Sequence, residues 1–252
     1  CTCSACKGHL RGILDTAMAH QGKRFVVQAP CIGIDFGTQF SSVAVVKGEK
    51  AEVIANAQGN HSTPSIVAFS DKEILVGEVA VGQAAKNSSN TIVECKRLLG
   101  RKPGDETVGK DSKRWSFSIV PKDGKAGVQV EYKGQSTAFT PEHIGGQIFL
   151  SLKATAEAFT HTAIKNCVVA VPTYFTEAQR LSLIEAAGVA GLSVLRVVSE
   201  PVAAAIAYDL DRPAEAARPS SLVAVLNMGA RTSEVAVLDV SPAGLIEVAG
   251  TA

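Results

Sequence analysis

The sequence has few aromatics: they make up 5% of its 252 residues, with a single tryptophan. No apolar run approaches the roughly 18 to 20 residues that a helix needs to cross a bilayer, which excludes a helical membrane span. Neither charge is in surplus. The 25 basic and 24 acidic residues leave a net charge of +1 and are spread along the chain. That excludes the electrostatic footprint of direct nucleic-acid or membrane-surface binding. No basic stretch leads into an apolar core and a small-residue cleavage site, so no secretory signal is read. The expected setting is a reducing compartment, the cytosol. Of six cysteines, Cys31, Cys95 and Cys167 sit singly in apolar patterns and are expected as small core residues.

What is present begins with a segment unlike the rest. Cys1, Cys3 and Cys6 lie near His9, but their spacing lacks the paired knuckles of a structural zinc site. Residues 1 to about 25 are read as a disordered leader, or as sequence upstream of a start at Met18. A strand at Phe25–Val27 then enters the folded part. With 46% hydrophobic residues, the remainder is long enough to bury a sizeable core.

The chain is organised around the run from Ile32 to Val46, which reads as strand, tight turn, strand. The first arm ends in Asp35, the turn carries Gly37, and Thr38, Ser41 and Ser42 add hydroxyls. Turn amides and hydroxyls can donate to phosphate oxygens, while an acid at the strand end can face the metal that accompanies a nucleotide. An Asp-x-Gly-Thr turn alone usually just joins two strands. A second copy at Leu222–Leu238 repeats the pattern and suggests an internal duplication gripping a nucleotide from two sides. That copy has Asn227 where the first has Asp35, and a Gly229-Ala230-Arg231 turn before Thr232.

Between the hairpins, helices are expected at about Gly77–Ala85 and Thr91–Leu99, the second stopped by Gly100. Residues 101–114 are polar. They hold a near-match to a phosphate loop, Gly104 to Asp111, but Asp111 stands where Ser or Thr is needed and no apolar strand leads in, so a solvated loop is expected. Short strands follow at Trp115–Val120, Val128–Tyr132 and Thr137–Phe139. Thr140-Pro141 starts a helix running to about Thr160. Cys167–Val171 and Val194–Val198 read as buried strands, and Thr176 with Gln179 as a capping box between them. An Ala-rich helix spans Val202–Tyr208, and residues 209–220 form a polar, Pro-bearing connection.

Several stretches in order resemble the ATPase domain of the heat shock protein 70 chaperones: Gly33–Thr38, Thr63-Pro64-Ser65, Asn90–Gly100, Val168–Arg180 and Ala190–Tyr208. The degenerate second hairpin resembles that of the atypical, ribosome-associated members. The resemblance implies an α/β, actin-like ATPase (ribonuclease H-like) fold: a mixed sheet flanked by helices, with a small inserted α+β subdomain at about 65–139. Residues 26–213 would be a first nucleotide-binding lobe, and 214–252 the start of a second lobe, cut short after three strands.

The resemblance further implies ATP or ADP with Mg²⁺ as cofactors. Asp35, Gly37, Thr38 and Gln39 would lie at the phosphates, opposite Asn227, Gly229, Ala230, Arg231 and Thr232. Asp35 and Glu200 would be the magnesium-side acids, acting through water, and Lys96, Glu200 and Thr38 the catalytic set. Without the resemblance, Lys96 reads as a solvated helix cation and Glu200 as a helix N-terminal acid. Pro172 and Arg180 match positions of interdomain signalling. An amide at 227 supplies no charge to magnesium, and removing one such preorganised group costs on the order of 2–4 kcal/mol, roughly a hundred- to thousand-fold in turnover. The expected function is an ATP-binding chaperone of polypeptides with weak or absent hydrolysis. Its implied partners are clients held by a further C-terminal domain, a J-domain co-chaperone, a nucleotide-exchange factor and, through a partner, the ribosome. The alternatives are a non-hydrolysing scaffold for the J-domain partner and, more remotely, an actin-like sugar kinase.

Overall fold

The computed structural model describes residues 19–20, 23–24, 30–47, 50–212 and 219–252. Most of the expected leader, the strand at Phe25–Val27 and part of the 209–220 connection lie outside the described residues.

Six strands form the central sheet: β1 (Cys31–Phe36), β2 (Phe40–Lys47), β3 (Lys50–Val53), β4 (Thr63–Pro64), and, later in the chain, two strands that join β1's other edge. Those two are β11 (Asn166–Val171), parallel to β1, and β12 (Ser193–Ser199), parallel to β11. The β1–β2 and β2–β3 pairs are antiparallel, so the sheet is mixed.

Helices cover both faces, which explains why the central strands read as unbroken apolar runs. On one face Ile32, Ile34, Phe36, Cys167, Val169 and Val171 pack against α3 (Pro141–Thr160) and α4 (Glu177–Val189) through Ile144, Ile148, Phe149 and Leu183. Phe36 stacks on Phe149 with ring centroids 4.9 Å apart. On the other face Val168 and Ala170 meet Ala203 of α5 (Glu200–Ala207). The expected caps form. Thr140 accepts from the His143 amide, and Thr176 and Gln179 bond reciprocally as a capping box.

Two small antiparallel sheets fill the segment between β4 and α3. One joins β5 (Val67–Phe69), β6 (Ile74–Val76) and β7 (Thr91–Ile92), with α1 (Glu78–Gln83) between β6 and β7. The other joins β8 (Ser118–Lys122), β9 (Lys125–Tyr132) and β10 (Gln135–Phe139), and Phe69 stacks on Phe139 across the two at 4.6 Å. A last antiparallel sheet of β13 (Ser221–Met228), β14 (Ser233–Val240) and β15 (Ile246–Thr251) packs Ala236 and Leu238 against Ala205 of α5.

Two expectations fail in the segment between β7 and β8. The helix expected over Thr91–Leu99 is instead strand β7 followed by a single 3₁₀ turn, Cys95–Arg97. Its apolar spacing mimics a helix, but Glu94 adopts a left-handed conformation with φ 57° and breaks the run. The solvated loop expected over 101–114 contains helix α2 (Glu106–Asp111), whose cap Asp105 accepts from the Thr107 and Val108 amides. Asp111 is buried, paired with Arg97 and Arg114.

Candidate functional site

The first hairpin turn is built around Gly37 and Ser65. A Cβ on Gly37 would lie 2.1 Å from the Phe40 carbonyl oxygen, so only glycine permits this turn. Strand β4 pairs with the start of β2, Ser41 opposite Thr63, and delivers Ser65 behind the turn. The Ser65 hydroxyl donates to the Gly37 carbonyl at 2.8 Å, and the Ser65 amide donates to the Gln39 carbonyl at 2.8 Å. Ser41 and Ser65 share a further hydroxyl bond at 2.8 Å. The turn is therefore braced from below while Thr38 stays half-buried and Gln39 exposed.

Lys96 projects from the 3₁₀ turn and Glu200 opens α5, where β12 ends. They meet: Nζ of Lys96 donates to Oε1 of Glu200 at 2.9 Å, with both residues buried. Lys96 also lies over the Phe175 ring, 5.5 Å from its centroid. Burial by itself would lower the Lys96 pKa; the negative charges of Glu200 and then Asp35 outweigh it, and the ammonium is held above its ordinary range. Asp35, half-buried at the end of β1, thus shares the field of this buried pair. Gly100, at φ +66°, ends the segment bearing Lys96 against the start of α4, where an added Cβ would sit 2.6 Å from the Gln179 amide nitrogen.

The second hairpin reaches the same place. The Asn227 amide donates to Oε2 of Glu200 at 2.8 Å, so both oxygens of this carboxylate are engaged. Gly229 N–H closes its turn on the Thr232 carbonyl at 2.8 Å, with Ala230 exposed between them. Arg231 turns to Glu94 and forms an ion pair, while Glu94 also accepts from the Trp115 indole at 3.4 Å. Tyr174 donates to the Thr232 hydroxyl at 3.2 Å, and the Thr173 amide to Glu234 at 3.0 Å.

Asp35, Lys96, Glu200 and Asn227 therefore converge. Sequence reasoning passed over Ser65's bracing role, Glu94, Thr173 and Glu234. A signal existed for Glu234: it occupies the buried register of β14, otherwise filled by Ala236, Leu238 and Val240. Glu94 and Thr173 gave none, because their partners lie 137 and 61 residues away.

Asp35 and Glu200 were expected beside magnesium. Among the described residues no three His, Cys, Asp or Glu side chains group so as to hold a metal ion. Glu200 has its oxygens taken by an ammonium and an amide. The described residues of the cleft therefore offer a magnesium ion no direct cage, which leaves the expected contact through water untouched.

Comparison with known proteins matches residues 31–252 to the family model described as Hsp70 protein. A heat shock 70 kDa protein of Emericella nidulans is 44% identical over 224 residues, 89% of this chain and 34% of the relative. The human putative heat shock 70 kDa protein 7 is 44% identical over 229 residues, 90% of this chain and 61% of that protein. A heat shock protein of Pyricularia oryzae is 41% identical over 221 residues, 88% of this chain and 36% of the relative. The mixed sheet with helices on both faces is the actin-like ATPase fold. The chain belongs to the Hsp70 family and matches the N-terminal, ATPase part of it. It spans about a third of the length of the first of these relatives.

Proposed function

We propose that this chain is the nucleotide-binding part of a chaperone that assists the folding of nascent polypeptides, binding ATP or ADP but hydrolysing ATP weakly or not at all. Residues 26–213 would form one lobe of the nucleotide clamp, with 65–139 inserted, and 214–252 would begin the other. The two hairpins would face the phosphates: Gly37, Thr38 and Gln39 from one side, Gly229, Ala230, Arg231 and Thr232 from the other. Magnesium would arrive with those phosphates, since the described residues supply no direct cage for it.

The observation that carries weak hydrolysis is the Asn227–Glu200 hydrogen bond. Glu200, expected to place a water, has both oxygens occupied, and the amide of Asn227 cannot add the charge of an Asp. Turnover should therefore lie roughly a hundred- to thousand-fold below that of an Asn227→Asp variant. Single-turnover hydrolysis of Mg-ATP by the full-length form tests this, and equal rates would refute it.

A second reading is a nucleotide-stabilised scaffold for a J-domain co-chaperone in the cytosol, carried to the ribosome by that partner. The links from Arg231, Thr232 and Glu234 to Glu94, Tyr174 and Thr173 favour it, because they hold the second hairpin without requiring turnover. Retained co-chaperone binding with unmeasurable hydrolysis would select it. Clients and a nucleotide-exchange factor would be engaged as the family resemblance implies.

A further inference from the structure

Among the described residues the second hairpin makes polar contacts of Asn227 with Glu200, Arg231 with Glu94, Thr232 with Tyr174 and Glu234 with Thr173. The last three flank the cleft. The first lies inside it, and there the chemistry is unusual for a nucleotide site. A carboxylate at 227 would face Glu200 at hydrogen-bond distance, adding a second negative charge that the one Lys96 ammonium does not balance and that a further cation or a shared proton would relieve. An amide requires neither. Its N–H donates directly to Oε2, while Lys96 neutralises the same carboxylate through Oε1.

We propose that in this chain the Asn227 amide takes the place of a bridging divalent cation between Glu200 and the second hairpin, so that this hairpin is held on the buried Lys96–Glu200 pair without metal or nucleotide. Glu234 keeps one buried oxygen without a hydrogen-bond partner, yet it forms no group of three with Asp35 and Glu200. The inference builds on the site described above but does not depend on ATP being bound or hydrolysed.

Thermal unfolding of the nucleotide-free chain, in EDTA and in millimolar Mg²⁺, tests it. The native chain is expected to melt at the same temperature in both. Asn227→Asp is expected to melt about 3 °C or more lower in EDTA, the shift of roughly one kcal/mol for a chain of this size, and to recover in Mg²⁺. Asn227→Ala should melt lower in both and recover in neither. Binding of Mn²⁺ to the native chain, followed by its electron paramagnetic resonance, decides the matter even if the variants do not fold. No binding in the submillimolar range is expected. A metal-dependent melting temperature or submillimolar Mn²⁺ binding in the native protein would overturn the proposal, as would an Asn227→Asp variant indifferent to metal. A native chain that binds no ATP, yet melts independently of metal, would refute the nucleotide reading and leave this one standing.

Discussion

Lys96 and Glu200 are 104 residues apart in the chain, and Nζ lies 2.9 Å from Oε1 in a buried ion pair. One comes from a 3₁₀ turn between β7 and α2 and the other from the first position of α5. Their meeting joins that segment to α5 at the end of β12.

Removing one partner of such a pair strands a buried charge. Lys96→Met should destabilise the chain by about 3–5 kcal/mol, and Lys96→Met with Glu200→Gln by clearly less than the sum of the two single losses. Urea unfolding measures both. A single-variant loss under about 0.5 kcal/mol would mean that water reaches the pair.

The same pair predicts an alkaline limit. The Lys96 pKa is raised in the fold above its ordinary 10.5. Its contribution to stability is therefore complete below 10.5 and is lost as pH rises through the higher folded value. Lys96→Met should lack that loss in unfolding free energies measured across the range.

Asp111 sets the acid side. Burial pushes its carboxyl up, but the guanidiniums of Arg97 and then Arg114 outweigh this and hold it below its ordinary 3.8. Its stabilisation is present above 3.8 and vanishes as pH falls through the lower folded value. Asp111→Asn should flatten the acid-unfolding curve there; an unchanged curve would place the acid transition elsewhere.

The braced turn can be tested apart from any ligand. Ser65→Ala removes the hydroxyl donated to Gly37 and should cost about 1–2 kcal/mol, with faster hydrogen exchange confined to the first hairpin. Gly37→Ala drives a methyl into the Phe40 carbonyl, and its exchange should quicken across both hairpin arms. Uniform acceleration over the whole molecule would argue against a local brace.

The Arg231–Glu94 pair should act only on the second hairpin. Arg231→Ala is expected to quicken exchange in β13 and β14 with little change in the central sheet, because Arg231 is partly exposed and its link is peripheral to the main core. Protection unchanged in both strands would show that apolar packing on α5 alone holds this sheet.

The elements legible in the sequence were those whose signals are local. Thr140-Pro141 and the Thr176–Gln179 box marked α3 and α4, and the unbroken apolar run marked β11, because caps and periodicity act over a few residues. β12, expected as a buried strand, is instead the edge of the sheet, with Leu195 and Arg196 exposed and only Val198 buried. The stretch from Thr91 to Leu99 misled because its spacing is just as local. Ile92, Cys95, Leu98 and Leu99 are spaced as on a helix, but they are buried by distant elements, and one left-handed residue, Glu94, decides the path. In the site, strand ends made Asp35, Asn227 and Glu200 stand out. The partners of Glu94 and Thr173 were hidden, since the fold alone brings them together.

Gly100 has a consequence for the buried lysine. With its left-handed backbone pressed against the amide of Gln179, it works as a zero-thickness spacer between the Lys96 segment and the first turn of α4. Any side chain there would lift that segment off the helix, withdrawing the ammonium from Glu200. The reach of the lysine is therefore calibrated by an atom that is absent four residues away.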